Sequence, residues 1–121
     1  MRMKHKGRLL LVLGLLFLIQ AGGVAWSQVT ERVSVDSAGA EVDDPSYSPS
    51  ISADGRYIAF ESISPDLVTG DTNGKIDIFV HDRDADGNGT YDEPGAITTV
   101  RVSVASGGGE GSEDSHSPSI S

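Results

Sequence analysis

The twelve residues 82–93 bring together the side chains of this chain that are best suited to chemistry. Asp82, Asp84 and Asp86 occupy positions 1, 3 and 5 of the calcium-loop pattern, and Gly87 occupies position 6, where such a loop turns sharply. The pattern continues with the Asn88 carbonyl at position 7, Thr90 at position 9 and Glu93 at position 12. Because Ca²⁺ prefers six to eight hard oxygen ligands, this spacing predicts a calcium site.

Two alternatives to this reading of the loop remain open. The ligand set could instead be Asp84, Asp86, Asn88 and Asp92, a later register of the same loop. Residues of these types also form solvated turns without a metal. The charge of the segment argues against a turn without a metal. Its twelve residues contain five carboxylates and only one Arg, and the carboxylates repel one another unless a cation neutralises them. The pattern favours a structural Ca²⁺, since no flanking helices are predicted that could move as in a sensor.

A second and weaker group of oxygen ligands lies just before the loop. It consists of Asp71, Asn73 and Asp77, which surround Gly74. Asx residues next to a glycine are typical of a tight turn, because their side chains bond the backbone two residues further on. We interpret this group as a turn that leads into a strand. Further along, the glycine-rich and acidic residues 106–116 are predicted to form a mobile surface loop.

The chain offers little for catalysis. His81 stands beside Asp82, but neighbouring residues on a strand point to opposite faces, so we interpret His81 as a strand or packing residue. The Gly-x-Ser-x-Gly nucleophile elbow does not occur in the sequence. His81 and His116 lie too far apart in sequence to match a zinc-binding spacing. These observations predict a protein without catalytic residues.

The elements that position these residues are predicted to be short β-strands. Alternating or contiguous apolar residues separated by turn residues mark five segments, at residues 30–35, 50–52, 56–62, 76–81 and 97–104. The segment 56–62 contains four contiguous apolar residues and is predicted to be buried on both faces. Asp54-Gly55 before it predicts a two-residue hairpin turn. The fold class is therefore all-β.

An internal repeat organises these strands. Arg32-Val33-Ser34-Val35 and the Ser-Pro-Ser-Ile-Ser of residues 48–52 both return 69 residues later, at residues 101–104 and 117–121. Four antiparallel strands per repeat predict a β-propeller blade at about residues 48–104, with the next blade beginning near residue 117. We expect residues 30–35 to be a spare outer strand that closes the ring of a longer, truncated array. A β-sandwich is the alternative architecture.

Three motifs of this repeat resemble a known family. They are residues 48–60 (Ser-Pro-Ser-Ile-Ser-Ala-Asp-Gly-Arg-Tyr-Ile-Ala-Phe), 71–74 (Asp-Thr-Asn-Gly) and 77–83 (Asp-Ile-Phe-Val-His-Asp-Arg). Together they closely resemble the TolB-type β-propeller repeat of exported bacterial proteins. The resemblance covers residues 30–121 and implies a propeller of several blades that serves as a scaffold for protein or ligand contacts, with no catalytic residue. The acidic segment 82–93 enlarges the loop between the third and fourth strands beyond the family pattern.

The N-terminus predicts export. Four basic residues precede the apolar run 9–19, and Ala25-Trp26-Ser27 resembles a signal-peptide cleavage site, so we expect residues 1–27 to be removed. The apolar run falls short of the roughly 20 residues that a membrane-spanning helix needs, which makes a retained anchor the less favoured alternative. The chain contains no Cys, which excludes both a lipid-anchored lipoprotein and disulfides. We expect the mature protein in the periplasm, at the cell surface or secreted.

Charge narrows the class of partner. The predicted mature chain, 28–121, retains five basic and eighteen acidic residues, a net charge of −13. Such a chain is repelled by nucleic acid and anionic membranes, and it attracts cations. We expect a non-enzymatic binding scaffold with a protein or cell-envelope partner. Two rival hypotheses are the propeller portion of an exported hydrolase or peptidase whose catalytic domain lies elsewhere, and a free-standing calcium-binding surface module.

Overall fold

The fold is one open four-stranded antiparallel sheet, seen in a computed structural model that describes residues 29–121. The strands are β1 (Ser46–Ile51), β2 (Tyr57–Ser62), β3 (Asp77–Asp82) and β4 (Thr98–Arg101), and they lie side by side in chain order. This confirms the all-β prediction. The predicted signal peptide lies outside the described residues, and within 29–121 no helix is long and apolar enough to cross a membrane.

The core lies against β2 and β3, the two central strands. Ile58, Phe60, Leu67 and Phe79 form one buried cluster, in which the rings of Phe60 and Phe79 stack with centroids 5.9 Å apart. Residues 58–62 are all buried, as predicted for a strand covered on both faces. On β3 burial alternates, and the covered face carries Asp77, Phe79 and His81. The sheet therefore places two polar side chains inside and must supply hydrogen bonds to them.

Two local features differ from the expectations drawn from the sequence. Residues 30–35 do not form a strand, and their only ladder contact within the described chain is an isolated bridge between Val35 and Glu41. The partner expected for this strand, the last blade of a longer array, is not among residues 29–121; beside β4 the Ser37 hydroxyl accepts the Thr99 N–H at 3.0 Å and donates to the Thr99 carbonyl.

The hairpin between β1 and β2 is also longer than predicted. Its closing hydrogen bond runs from the Ser52 N–H to the Tyr57 carbonyl at 2.9 Å, which leaves residues 53–56 in the loop. Gly55 does supply the positive φ, at 76°. The extra length follows from Asp54, whose carboxylate accepts the Ser52 hydroxyl at 2.6 Å and the Arg56 N–H at 3.0 Å and so stabilises a wider turn.

Candidate metal centre and the neighbouring polar network

The segment 82–93 projects from the sheet between β3 and β4. Two backbone hydrogen bonds cross its base, from the Asp92 N–H to the Arg83 carbonyl at 2.8 Å and from the Ala85 N–H to the Ala96 carbonyl at 2.7 Å. At its tip Gly87 and Gly89 both have positive φ, 71° and 86°, which lets the chain reverse within a few residues. The loop is thus a short extension of the β3–β4 hairpin with a tight glycine tip.

Two of the seven predicted ligands are paired with arginines. Asp82 accepts a bidentate pair of bonds from Arg56, at 2.7 and 2.8 Å, and this guanidinium holds the pKa of Asp82 below its usual range. Asp92 accepts bonds from the Nε and Nη2 atoms of Arg83, whose guanidinium also lies 5.0 Å from the centroid of the Tyr91 ring. Arg56 and Arg83 therefore neutralise the two ends of the loop.

The other three carboxylates surround Asn88. The Asn88 side-chain amide donates to Asp86 at 3.0 Å and to Glu93 at 2.6 Å, which links these two residues through one nitrogen. Asp84 is buried and accepts the backbone N–H groups of Asn88 and Gly89, at 2.9 and 3.0 Å. The NH₂ group of Asn88 thus lies between the carboxylates of Asp86 and Glu93. Two neighbouring carboxylates create a negative potential that favours a cation at this position.

The structure thus separates the predicted ligands into two groups. Asp82 and Asp92 belong to ion pairs, while Asp84, Asp86, Asn88 and Glu93 share one hydrogen-bonded cluster, hereafter the Asn88 cluster. Thr90 contributes its backbone N–H to the Asn88 side-chain oxygen at 2.7 Å. Over residues 29–121, no three acidic or histidine side chains stand together in a ready metal-binding geometry. The donor chemistry of the Asn88 cluster, all oxygen apart from one amide nitrogen, nevertheless suits Ca²⁺.

The weaker group at residues 71–77 has the turn geometry that we expected, since the Asn73 side-chain oxygen accepts the Lys75 N–H at 2.9 Å. It also belongs to a buried ionic network that the sequence did not reveal. The Nη1 atom of Arg101 lies 3.1 Å from Asp71 and 3.5 Å from Asp77, so one cation serves two carboxylates. Burial raises the pKa of Asp71, whose Oδ2 atom is enclosed without a hydrogen-bond partner.

Glu110 completes this network from the segment that we expected to be a mobile loop. It accepts the Thr72 N–H at 2.5 Å and the Thr72 hydroxyl at 2.8 Å, and it pairs with Arg101 at 2.9 Å. These bonds, with the Thr72 N–H first among them, lower the pKa of Glu110 to about 2. One signal in the sequence could have indicated the pair, because Arg32 and Glu41 recur with the same spacing in the first copy of the repeat.

His81 has the role of a packing residue. The residue is 1% exposed, and its Nδ1 lies 2.9 Å from the Thr99 hydroxyl, which itself donates to the Val35 carbonyl at 2.6 Å. Since that hydroxyl has a single proton, the Nδ1 atom of His81 must be the donor. Burial lowers the pKa of His81 and keeps the ring neutral.

Comparison with known proteins gave no match: no family model, no curated protein and no solved structure resembles this chain to a significant degree.

Proposed function

We propose that this protein is an exported, non-enzymatic binding scaffold of the TolB-type β-propeller kind, in which Ca²⁺ fixes the loop 82–93. The observation that carries the proposal is the Asn88 cluster, where Asp86 and Glu93 meet at one amide on a loop anchored at its base. A cation in the place of that amide would relieve the repulsion between carboxylates that no arginine neutralises.

The ligand set we favour follows from the ion pairs. Asp82 and Asp92 each already face a guanidinium, and removing either from its arginine would leave a partly buried charge unpaired. Within residues 29–121, Asp84, Asp86 and Glu93 face no guanidinium, and together with the Asn88 side chain, turned to present Oδ1, they would supply the oxygens. The resulting role is structural, because the loop joins two paired strands and leads to no movable helix.

The scaffold part of the proposal is supported by the sheet and by the repeat. A four-stranded antiparallel sheet is the unit from which propeller blades are built, and the sequence begins the same unit again 69 residues later. His81 is 1% exposed and its Nδ1 lies 2.9 Å from the Thr99 hydroxyl, which fits the packing role predicted for it. The net negative charge favours cations and neutral or basic protein surfaces as partners.

Calorimetric titration with Ca²⁺ tests the metal. We expect wild-type protein to bind one Ca²⁺, and Asp86→Ala to lose measurable binding, because Asp86 is exposed and belongs to the Asn88 cluster. Asp43→Ala is the matched control, since it removes the same charge from an exposed position outside the loop. Asp82→Asn is expected to bind as wild type does under the ligand set proposed here. Equal titrations for wild type and Asp86→Ala would refute the site.

A further inference from the structure

The tip of the loop 82–93 matches a second sequence pattern besides that of a calcium loop. Asn88, Gly89 and Thr90 form the tripeptide Asn-x-Thr, which is the acceptor sequence for N-linked glycosylation when the middle residue is not proline. The sequence contains one other asparagine, Asn73, which is followed by Gly-Lys and does not form this tripeptide. The chain therefore carries one candidate acceptor.

The structure places this tripeptide at the surface, with free space around it. Residues 85–90 are all exposed, and they form the tip of the loop that projects between β3 and β4. A Cβ atom placed on Gly87 or on Gly89, the two neighbours of Asn88, would meet no other atom within 4 Å. N-linked glycans are bulky and occur on surface loops of exported proteins. The tip therefore has the room that such a group needs.

The tripeptide forms one compact turn. The Thr90 N–H donates to the Asn88 Oδ1 atom at 2.7 Å, so the backbone folds Thr90 back onto the Asn88 side chain. Gly89 between them has a φ of 86°, which a glycine adopts without strain. Because a glycosyl transferase must recognise the amide and the hydroxyl residue together, this turn presents both recognition groups on one short exposed stretch.

The Nδ2 atom of Asn88 is held only by partners that water can replace. It donates to Asp86, which is exposed, and to Glu93, which is half-buried. Turning the side chain outward exchanges these bonds for bonds to water at small net cost. Asn73, by contrast, donates from Nδ2 to the fully buried Asp77 at 2.9 Å and to the Gly111 carbonyl at 3.2 Å. Asn88 is thus the asparagine whose amide can reach an enzyme.

From these observations we infer that Asn88 is an N-glycosylation site, whose donor is an oligosaccharide joined to a lipid through pyrophosphate. In the transfer, Asn88 Nδ2 forms a bond to the anomeric carbon of the first sugar and gives up one proton to a base of the transferase. The bond between that carbon and the pyrophosphate oxygen breaks, and the lipid pyrophosphate leaves with the electron pair. Asp86, two residues before Asn88, completes the acidic-x-Asn-x-Thr form of acceptor that bacterial oligosaccharyltransferases use.

In the cell this modification rests on the export proposed above, because exported chains are the ones that carry N-linked glycans. It does not rest on calcium, since the glycan is attached through the Asn88 nitrogen, whereas Ca²⁺ is bound through oxygen. A purified reaction, in which the transferase and its donor are supplied directly, tests the acceptor site without any export step. A failure of export and a failure of the site are therefore distinguishable.

The test incubates protein expressed from the full 121-residue sequence with a purified bacterial oligosaccharyltransferase and a lipid-pyrophosphate-linked oligosaccharide. Intact-mass spectrometry and peptide mapping detect the attached glycan. We expect wild type to gain one glycan, on the peptide that contains Asn88. Asn88→Gln and Thr90→Ala are expected to lose the modification completely, because the first removes the acceptor asparagine and the second removes the required hydroxyl.

Two matched variants make the result specific. Thr90→Ser keeps the hydroxyl and is expected to be modified, and Asn73→Gln makes the same change as Asn88→Gln outside the tripeptide and is expected to behave as wild type does. Circular dichroism verifies that each variant retains the sheet, and a synthetic acceptor peptide in the same reaction verifies that the enzyme is active. Wild type that stays unmodified beside a modified peptide, or a glycan that persists in Asn88→Gln, would overturn the inference.

Discussion

At the scale of residues, arginine placement decides which carboxylates remain available to a cation. Arg56 and Arg83 pair with Asp82 and Asp92, and neither arginine belongs to the set of ligands suggested by spacing. Arg56 lies 26 residues from Asp82 in the chain, so no local pattern could reveal the pair. The spacing rule therefore predicted the loop and its candidate oxygens, while the division between ion pairs and the Asn88 cluster required the fold.

The buried His81 makes a testable prediction about how the stability of the fold depends on pH. Burial lowers its pKa below the unfolded value, so the folded state holds the ring neutral while the unfolded chain takes up a proton near pH 6.5. Stability that is complete above that pH is then lost as the pH falls, by at most about 1.4 kcal/mol per unit. We expect urea unfolding to show this decline between pH 7 and pH 5, and His81→Gln to flatten it. A variant with the wild-type slope would contradict the role given to His81.

At the scale of elements, Glu110 is one of several residues that hold the segment after β4 in place. Glu110 bonds the backbone of Thr72 and the guanidinium of Arg101, and it thereby attaches the segment after β4 to the loop before β3. Its equivalent in the first copy, Glu41, reaches only the exposed Arg32. Glu41 and Glu110 occupy equivalent turns, but their contacts differ because different parts of the protein lie beside the two turns.

Glu110→Gln is expected to lower the unfolding temperature at pH 7, whereas Glu41→Gln is expected to leave it almost unchanged. Because the pKa of Glu110 is depressed to about 2, its contribution is present above the unfolded value near 4.5 and disappears as the pH falls toward 2. Thermal unfolding of both variants across pH 2–7 measures this. Equal effects of the two substitutions, or a difference that persists at pH 2, would contradict the network described here.

Much of the element order could be predicted from the sequence, and residues 30–35 are the main exception. Strands β2 and β3 were predicted from β-type runs bounded by turns, and the burial predicted for β2 was confirmed for residues 58–62. Residues 30–35 have an equally regular alternation, yet only Val35 makes a bridge, and the blade expected to pair with them is not among residues 29–121. Periodicity shows that a segment can form a strand, but pairing depends on a free partner that only the tertiary structure provides.

At the scale of the whole molecule, a small acidic sheet must be stabilised without disulfides. The described chain has one core cluster of four buried residues, and the sequence contains no Cys. Ion pairs join segments that are distant in sequence, as disulfides would in other proteins. They are the buried pairs around Arg101 and the arginine pairs of the loop 82–93. In our account a bound Ca²⁺ supplies another cross-link, because a ligand that binds only the folded state stabilises it by mass action.

The most direct test of that account is the unfolding temperature of the wild-type protein in saturating Ca²⁺ and in excess chelator. At a free concentration one hundred times the dissociation constant, binding adds about 2.7 kcal/mol. For a domain of this size we expect the unfolding temperature to rise by about 10 °C or more. Asp86→Ala should show no rise. An unfolding temperature that is the same with Ca²⁺ and with chelator, or a rise that Asp86→Ala shares in full, would contradict the calcium-fixed loop.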